Sequence, residues 1–470
     1  MDKKKIFAFA LGPVLGAALG FISLPLIAWY FPPEDVGRNN VFQIFTSFSI
    51  LLFVLGLDQA YVREFHETEN RFSLFKACFI PGLILLVITL IATLPFAGDI
   101  SKLLYGESEP QWYLITAGCV IFSFTARFLS LVVRMQERGL AYSASQVLPK
   151  LAVIAVLVSY VILGAERIYT NLLYANFVSV FLVVLVFGWN TRADWLPAAT
   201  AKVNRAELKK LLHFGTPLIG AGVAYWGLSA TSTIALRTFS DFKELGIYSM
   251  AMSFAGAALI FQAIFSTVWM PTVYKWVAAK EDLSKIDTVR SHVLAAVCFF
   301  FAMAGTFSWL IDYVLPADYA QVKYIVVCSM AQPLLYTLSE TTVVGLNVQR
   351  KSMHALGIAI FALMCNALLS FLLVPQFGAA GAAVSNALAY VVFFIARTEV
   401  SAKLWHPIPR KQLYSMIIVI VSIAIWTALQ GHSTTVYPSF IWIAVFSLLI
   451  FIFRENLKFL RGFITKKSAS

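Results

Sequence analysis

Uninterrupted apolar runs of about 20 residues recur from one end of this chain to the other, and nothing else in the sequence restricts the fold so strongly. Wound as a helix, a run of that length crosses bilayer hydrocarbon with its backbone hydrogen bonds satisfied internally. Strands of a membrane barrel would alternate polar and apolar residues, and these runs do not. Composition agrees: 60% of the 470 residues are hydrophobic and 13% charged. The pattern therefore predicts an all-α polytopic membrane protein.

The runs divide into fourteen spans, at 6–31, 40–62, 74–97, 111–133, 142–163, 169–189, 213–237, 245–270, 291–314, 322–346, 353–374, 380–396, 413–429 and 437–453. Lys3, Lys4 and Lys5 ahead of the first run resemble a secretory signal. The apolar stretch continues to about Phe31, however, and no small-residue cleavage pattern follows, so a retained helix is expected.

The chain repeats itself. Glu34-Asp35-Val36-Gly37 leads into Phe42, Phe45 and Phe48; Lys243-Glu244-Leu245-Gly246 leads into Tyr248, Met250 and Phe254. Each follows an apolar segment with Gly and Pro near its start: Gly12, Pro13 and Gly16, then Gly215, Pro217 and Gly220. Arg138 and Arg350, and Gly164 and Gly378, recur at nearly the same separation of about 210 residues, the size of a duplicated lobe. The expected organisation is an N-lobe of six helices at 1–189, a linker at 190–212, a C-lobe of six helices at 213–404, and two extra helices with a basic tail at 405–470. Six is even, so the two six-helix lobes are parallel repeats.

Lys and Arg placement sets orientation. With both termini cytoplasmic, the outer loops hold Arg38, Lys102, Arg167, Arg237, Lys243 and Lys323, while most of the other Lys and Arg residues fall on the inner side. The formal net charge of +12 is thus mainly a topology signal, with anionic-lipid contact, and nucleic-acid binding is not expected. Within the linker, Arg205 to Lys210 is expected to form a short interfacial helix. Trp29, Tyr30, Trp112, Tyr113, Trp189, Trp405, Tyr414 and Tyr437 lie near span ends, as an interfacial belt does.

Signatures of chemistry are missing from the sequence. It contains no P-loop, no His-Glu-x-x-His and no Gly-x-Ser-x-Gly. Cys78, Cys119, Cys298, Cys328 and Cys365 all fall in apolar runs, which suggests neither disulfides nor a metal site. His66, His213, His292, His354, His406 and His432 are scattered one per loop or span end. No cofactor is implied, and the pattern argues for transport rather than catalysis.

Four charges fall well inside spans: Asp58, Arg127, Lys150 and Glu340. Each costs at least about 2.5–3.5 kcal/mol at the bilayer centre, which makes each a candidate functional residue. Side chains tilt toward their helix's N-terminus, so Lys150 points back to the cytoplasmic interface whereas Arg127 points deeper. Arg127, then Lys150, are the candidate substrate-binding cations. Glu340 lies about ten residues before Arg350, roughly 15 Å from the interface at 1.5 Å per residue, and must be paired, protonated or wet. Glu340 and Asp58 are the candidate ion-coupling acids; Asp58 has a structural alternative as the partner of Arg63. Gly12, Pro13, Gly215 and Pro217 are candidate hinges.

The stretch Gly56-Leu57-Asp58-Gln59-Ala60-Tyr61-Val62-Arg63-Glu64-Phe65, with the duplicated acidic turn and Gln136-Glu137-Arg138, resembles bacterial O-antigen and polysaccharide flippases of the multidrug/oligosaccharidyl-lipid/polysaccharide exporter superfamily. The resemblance implies a two-lobed transporter in the cytoplasmic (inner) membrane. It would move undecaprenyl-diphosphate-linked oligosaccharide units outward through a cavity between the lobes. A polysaccharide polymerase and a chain-length regulator are implied partners, beside membrane lipids. Cation-coupled multidrug export and lipid II flipping are the alternatives within the superfamily. The first span has no central charge, unlike the arginine-bearing first helix of lipid II flippases, a departure from that alternative.

Overall fold

The computed structural model describes residues 3–282, 284–349, 351–431, 433 and 438–456; the side chains of 3–10, 13, 14, 17, 24, 221 and 352 are outside that description. Arg350, His432, Tyr437 and the side chains of Lys3, Lys4, Lys5 and Pro13 therefore fall outside it. Among the described residues every regular element is helical. The chain divides into two compact units, Met1–Ala230 and Thr231–Ser470.

The first unit contains α1 (Lys3–Tyr30), α2 (Pro33–Phe53), α3 (Leu57–Glu64), α4 (Arg71–Thr93), α5 (Ala97–Tyr105), α6 (Pro110–Met135), α7 (Gly139–Leu163), α8 (Tyr169–Asn190) and α9 (Arg192–Thr200). It also takes most of α10 (Arg205–Phe239), which continues past Ala230. The second unit adds α11 (Phe242–Phe254), α12 (Gly256–Ala278), α13 (Ser284–Thr306), α14 (Ile311–Val314), α15 (Val322–Ser329), α16 (Ala331–Thr342) and α17 (Val344–Val348). After these come α18 (Ser352–Leu404), α19 (Lys411–Gln430) and α20 (Pro438–Ile452). Nine described helices are long and apolar enough to cross a membrane unbroken, and the bent pair α2–α3 makes a tenth. With interrupted helices joined and α18 split at its break, the described segments follow the fourteen spans in order. This is a multi-pass membrane protein.

The breaks have local causes. Leu55 and Gly56 both adopt positive φ, at 54° and 68°, and α3 leaves α2 at 56°. A left-handed leucine is uncommon and costly, so surrounding structure must hold it. That support comes from α10. Its Gly215 packs backbone to backbone against the break, where an added Cβ would come 2.6 Å from the Leu55 carbonyl oxygen. In the second unit α18 breaks at Gly378 (φ 50°, ψ −127°), and the Ala379 amide donates to Glu244 Oε2 at 2.7 Å. Glu244 belongs to the second acidic turn and thus caps a broken helix. Asp35 of the first turn instead pairs with Arg38 at 2.7 Å. Gly164, the counterpart of Gly378, also has positive φ, 66°, and closes α7. The duplicated glycines share a positive φ but not ψ, which is 33° at Gly164 and −127° at Gly378, and the acids serve different ends.

Two packing features position the interior of the first unit. Gly12, Gly16 and Gly20 let α1 lie close to α7, with the Gly12 amide donating to Ser143 Oγ at 2.9 Å. Behind α3, Tyr61, Phe75, Phe79, Phe124 and Phe128 form a buried aromatic core joining α3, α4 and α6. One expectation is corrected. Arg205 to Lys210 is not a separate interfacial helix but the start of α10, because nothing in Arg205 to Phe214 interrupts helical hydrogen bonding. The short helix of the linker is α9.

Gly56→Ala carries at least about 1 kcal/mol of left-handed strain, and its Cβ would also run into the Gly215 carbonyl. Its thermal midpoint in detergent is expected to fall by several degrees. Gly188→Ala, whose Cβ meets open space, is expected to hold or raise it. Equal midpoints for the two variants would contradict the packing described.

Candidate functional site

The first unit encloses a cavity of about 700 Å³ walled by α2–α3, α6, α7, α8 and α10. Gly56 of the break lies in its wall, and Leu218, Ile219 and Gly222 of α10 line it beside α2, with Gly222 packed against Leu51. Ser47, Gln59, Ser123, Ser130, Tyr142, Ser145 and Gln146 bring hydroxyl and amide groups to a lining that, apart from Asp58 and Arg127, is made of Ile, Leu, Val, Ala, Gly and Pro. Gln146 makes no side-chain hydrogen bond among the described residues, so its donors and acceptor are available to a guest.

The charged centre of this cavity is an ion pair between helices. Arg127 Nη2 on α6 donates to Asp58 Oδ2 on α3 at 2.7 Å. Asp58 also accepts from the Gln59 amide at 2.8 Å and from Gln59 Nε2 at 3.2 Å. The partners differ in exposure: the Asp58 side chain is 11% exposed and that of Arg127 46%. The carboxylate is thus the desolvated member, held by three donors. The guanidinium keeps most of its five N–H donors facing the cavity. An arginine so placed can bind a second anion in fork geometry without first abandoning its carboxylate.

This corrects the pairing of Asp58 with Arg63 considered from sequence. Arg63 lies over the Phe214 ring at 4.6 Å and reaches Glu64 at 3.7 Å. Five positions along a helix is a poor spacing for contact, and the partner comes from α6 instead.

Of the other candidates, Lys150 is exposed on α7 and does not line the cavity, although Gln146 and Pro149 beside it do. It lays its ammonium against α1, where a Cβ on Gly20 would come 2.8 Å from Nζ. Glu340 belongs to the second unit. It is buried, with Oε2 accepting from Ser266 Oγ at 2.7 Å and its main-chain oxygen accepting from Trp269 Nε1 at 3.0 Å. Gly12 and Gly215 sit at the close contacts already described, Pro13 lies within α1, and Pro217 lies within the unbroken α10.

Sequence reasoning missed two buried arginines. Arg397 donates to Ser339 Oγ at 2.7 Å, next to Glu340, with its guanidinium over Tyr336 and Phe393 at 5.2 and 4.9 Å. The span was ended at 396, whereas α18 continues to Leu404 and carries Arg397 inside. The aromatic run Tyr390, Phe393 and Phe394 was the available signal. Arg290, just ahead of the ninth span, is likewise buried and pairs with Asp287 at 2.6 Å.

A family model described as "Polysaccharide biosynthesis protein" matches residues 3–276. The probable low-salt glycan biosynthesis flippase Agl15 of Haloferax volcanii is 20% identical over 390 residues, 81% of this chain and 79% of that protein. Among solved structures, the lipid II flippase MurJ in an inward closed conformation superposes with a TM-score of 0.66 at 14% identity, covering 98% of this chain and 100% of that one. An outward-facing multidrug resistance MATE transporter of the MOP superfamily gives a TM-score of 0.54 at 15% identity, over 88% of this chain and 96% of that one. These structural likenesses establish a shared helical fold. The proteins concerned are flippases and transporters.

Because Asp58 is the more buried partner, Arg127→Ala leaves an unpaired carboxylate and is expected to cost about 1–3 kcal/mol, below the full value for a wholly buried pair. Asp58→Asn, which leaves a hydrated guanidinium, is expected to cost less. In a double-mutant cycle on thermal stability the Arg127→Ala/Asp58→Asn protein should be no less stable than Arg127→Ala alone; strict additivity would contradict the pairing.

Proposed function

Because the chain belongs to the polysaccharide biosynthesis protein family, we propose that it is a flippase for lipid-linked glycan precursors. The proposed substrate is an undecaprenyl-diphosphate-linked oligosaccharide repeat unit. The chain moves it from the cytoplasmic to the outer leaflet of the bacterial inner membrane, for O-antigen or another surface polysaccharide. The observation that carries this reading is the cavity with hydroxyl and amide groups in its lining and a half-exposed Arg127 among them.

The physical problem is the headgroup. Each sugar hydroxyl left without a partner in hydrocarbon costs several kcal/mol, and a diphosphate costs more. The polyprenyl chain has no such cost and stays in lipid. A cavity offering Gln59, Gln146, Tyr142 and serine hydroxyls supplies the hydrogen bonds, and Arg127 supplies charge and a planar fork for phosphate. Lys150, one residue beyond the lining, is the second proposed phosphate contact. Asp58 keeps Arg127 oriented while the cavity is empty and can hold its charge balanced when substrate leaves.

Transport proceeds in this proposal by alternating access, with 1–189 and 213–404 as the moving bodies, 190–212 as linker and 405–470 outside the repeat. Bending at Gly12, Pro13, Gly215 or Pro217 would change the contacts of α1 with α7 and of α10 with the Gly56 break. An inside-negative potential favours outward movement of an anion by about 2.3 kcal/mol per charge per 100 mV. Glu340, buried against Ser266, is the proposed carrier for an inward coupling ion, with Asp58 the second candidate. Cytoplasmic termini rest on the basic inner loops. A polymerase and a chain-length regulator are the proposed downstream partners.

The MATE likeness makes cation-coupled drug export the second reading. It needs net negative charge in the cavity, whereas Asp58 is matched by Arg127. In cells, Arg127→Ala is expected to lower surface polysaccharide at least about ten-fold at unchanged protein level, with Arg127→Lys intermediate because an ammonium lacks the fork. Normal polysaccharide in Arg127→Ala cells, or drug sensitivity as the sole phenotype, would overturn the proposal.

A further inference from the structure

On the other side of α6 and α8 from the polar cavity, the first unit carries a second hollow of quite different chemistry. It is a groove of about 750 Å³ between α4, α6, α8 and α9. Its walls are apolar, including Phe79, Ile80, Leu129, Leu185, Trp189 and Leu196. Its two charges are both cationic, Lys76 and Arg192, and no acidic side chain lines it. The acid of α9, Asp194, is instead bonded to Gln136 at 2.8 Å.

All the cationic and indole groups lie at one end of the groove. Lys76 is in the second turn of α4, while Trp189 ends α8, and Arg192 and Trp195 begin α9. Lys76 Nζ donates to the Ala199 and Ala201 carbonyls at 2.8 and 2.9 Å, two of its three donors. Arg192 donates to the Trp189 carbonyl at 2.8 Å and stacks on that indole at 4.4 Å, so donors remain on both cations. Cations and tryptophans at the mouth of a greasy slot suit an anionic lipid headgroup with its chains running into the slot.

We propose that this groove is a binding site for a diacyl phospholipid with an anionic headgroup, its phosphate held by Lys76 and Arg192 and one acyl chain lying along α4, α6 and α8. The occupant is not the tail of a guest in the polar cavity. Leu129, Val133, Val183 and Phe187 pack as a buried cluster between α6 and α8, a dry wall between the two hollows. The inference therefore stands whatever the polar cavity transports. A lipid seated here would brace α9, which Lys76 otherwise ties to α4.

The test uses the full-length protein purified in detergent and examined by native mass spectrometry with phosphatidylglycerol or phosphatidylcholine of identical chains. Phosphatidylglycerol is expected to be retained about ten-fold more tightly, the worth of a charge-assisted contact. Gly188 lines the groove and an added Cβ there meets open space, so Gly188→Leu puts a side chain into the slot and should abolish retention. Arg192→Gln should remove the headgroup preference while weaker binding of both lipids persists. If Gly188→Leu does not elute as a monodisperse species, Ala199→Phe fills the groove from α9 instead. Equal retention of both lipids, or full retention in the filled variants, overturns the proposal. Competition by glycerol phosphate as effective as intact lipid overturns it in favour of a soluble-anion site, and displacement by equimolar undecaprenyl phosphate overturns it in favour of the carrier's tail.

Discussion

A carboxylate in bilayer hydrocarbon must find donors within the protein, and Asp58 finds three of them: Arg127 Nη2, the Gln59 amide and Gln59 Nε2. Much of the first unit serves that arrangement. The left-handed pair Leu55 and Gly56 turns the chain so that Asp58 falls in the first turn of a new helix. The aromatic core of Tyr61, Phe75 and Phe124 fixes that helix against α4 and α6, and α6 presents Arg127 across the gap. Because the carboxylate is the buried partner, the arginine is left half exposed, and the charge that a guest meets on entering is positive.

Glycine has a different role at each of the close approaches. At Gly56 and Gly215 the lack of a side chain lets two backbones touch, and at Gly56 it also permits the positive φ. At Gly378 it permits a break whose freed amide is taken by Glu244. Between α10 and α3, Lys210 and Glu64 add an ion pair at 3.0 Å, exposed at the lysine and weak in consequence.

The number and order of the helices were legible because each pass must be an apolar run, whatever its neighbours do. Arg127 was legible for the same reason, as a charge within an apolar run. Its partner was not: a linear reading sees neighbours along one helix, and so it considered Arg63 for Asp58 when α6 supplies the cation. Arg397 was lost to a helix end set too early, and the start of α10 was mistaken for a separate element because charged residues look like a linker. The left-handed Leu55 has no sequence signal, since leucine favours a continuing helix. The cavity and the groove arise only once α6 and α8 stand between them, α6 turning Ser123, Arg127 and Ser130 to the one and Thr125 and Leu129 to the other.

A wet cavity that exposes an arginine inside an otherwise apolar unit is the claim on which the transport proposal rests. Ser130 lines that cavity on the same helix as Arg127. Cys365 is the free cysteine with partial exposure, the other four being buried, so it is replaced by alanine before Ser130→Cys is introduced. Reaction of the new thiol with a charged, membrane-impermeant maleimide, suppressed by added undecaprenyl-diphosphate-linked oligosaccharide and not by phosphatidylcholine, is the predicted result. A thiol that stays unlabelled, or one whose labelling the glycolipid leaves unchanged, would contradict it.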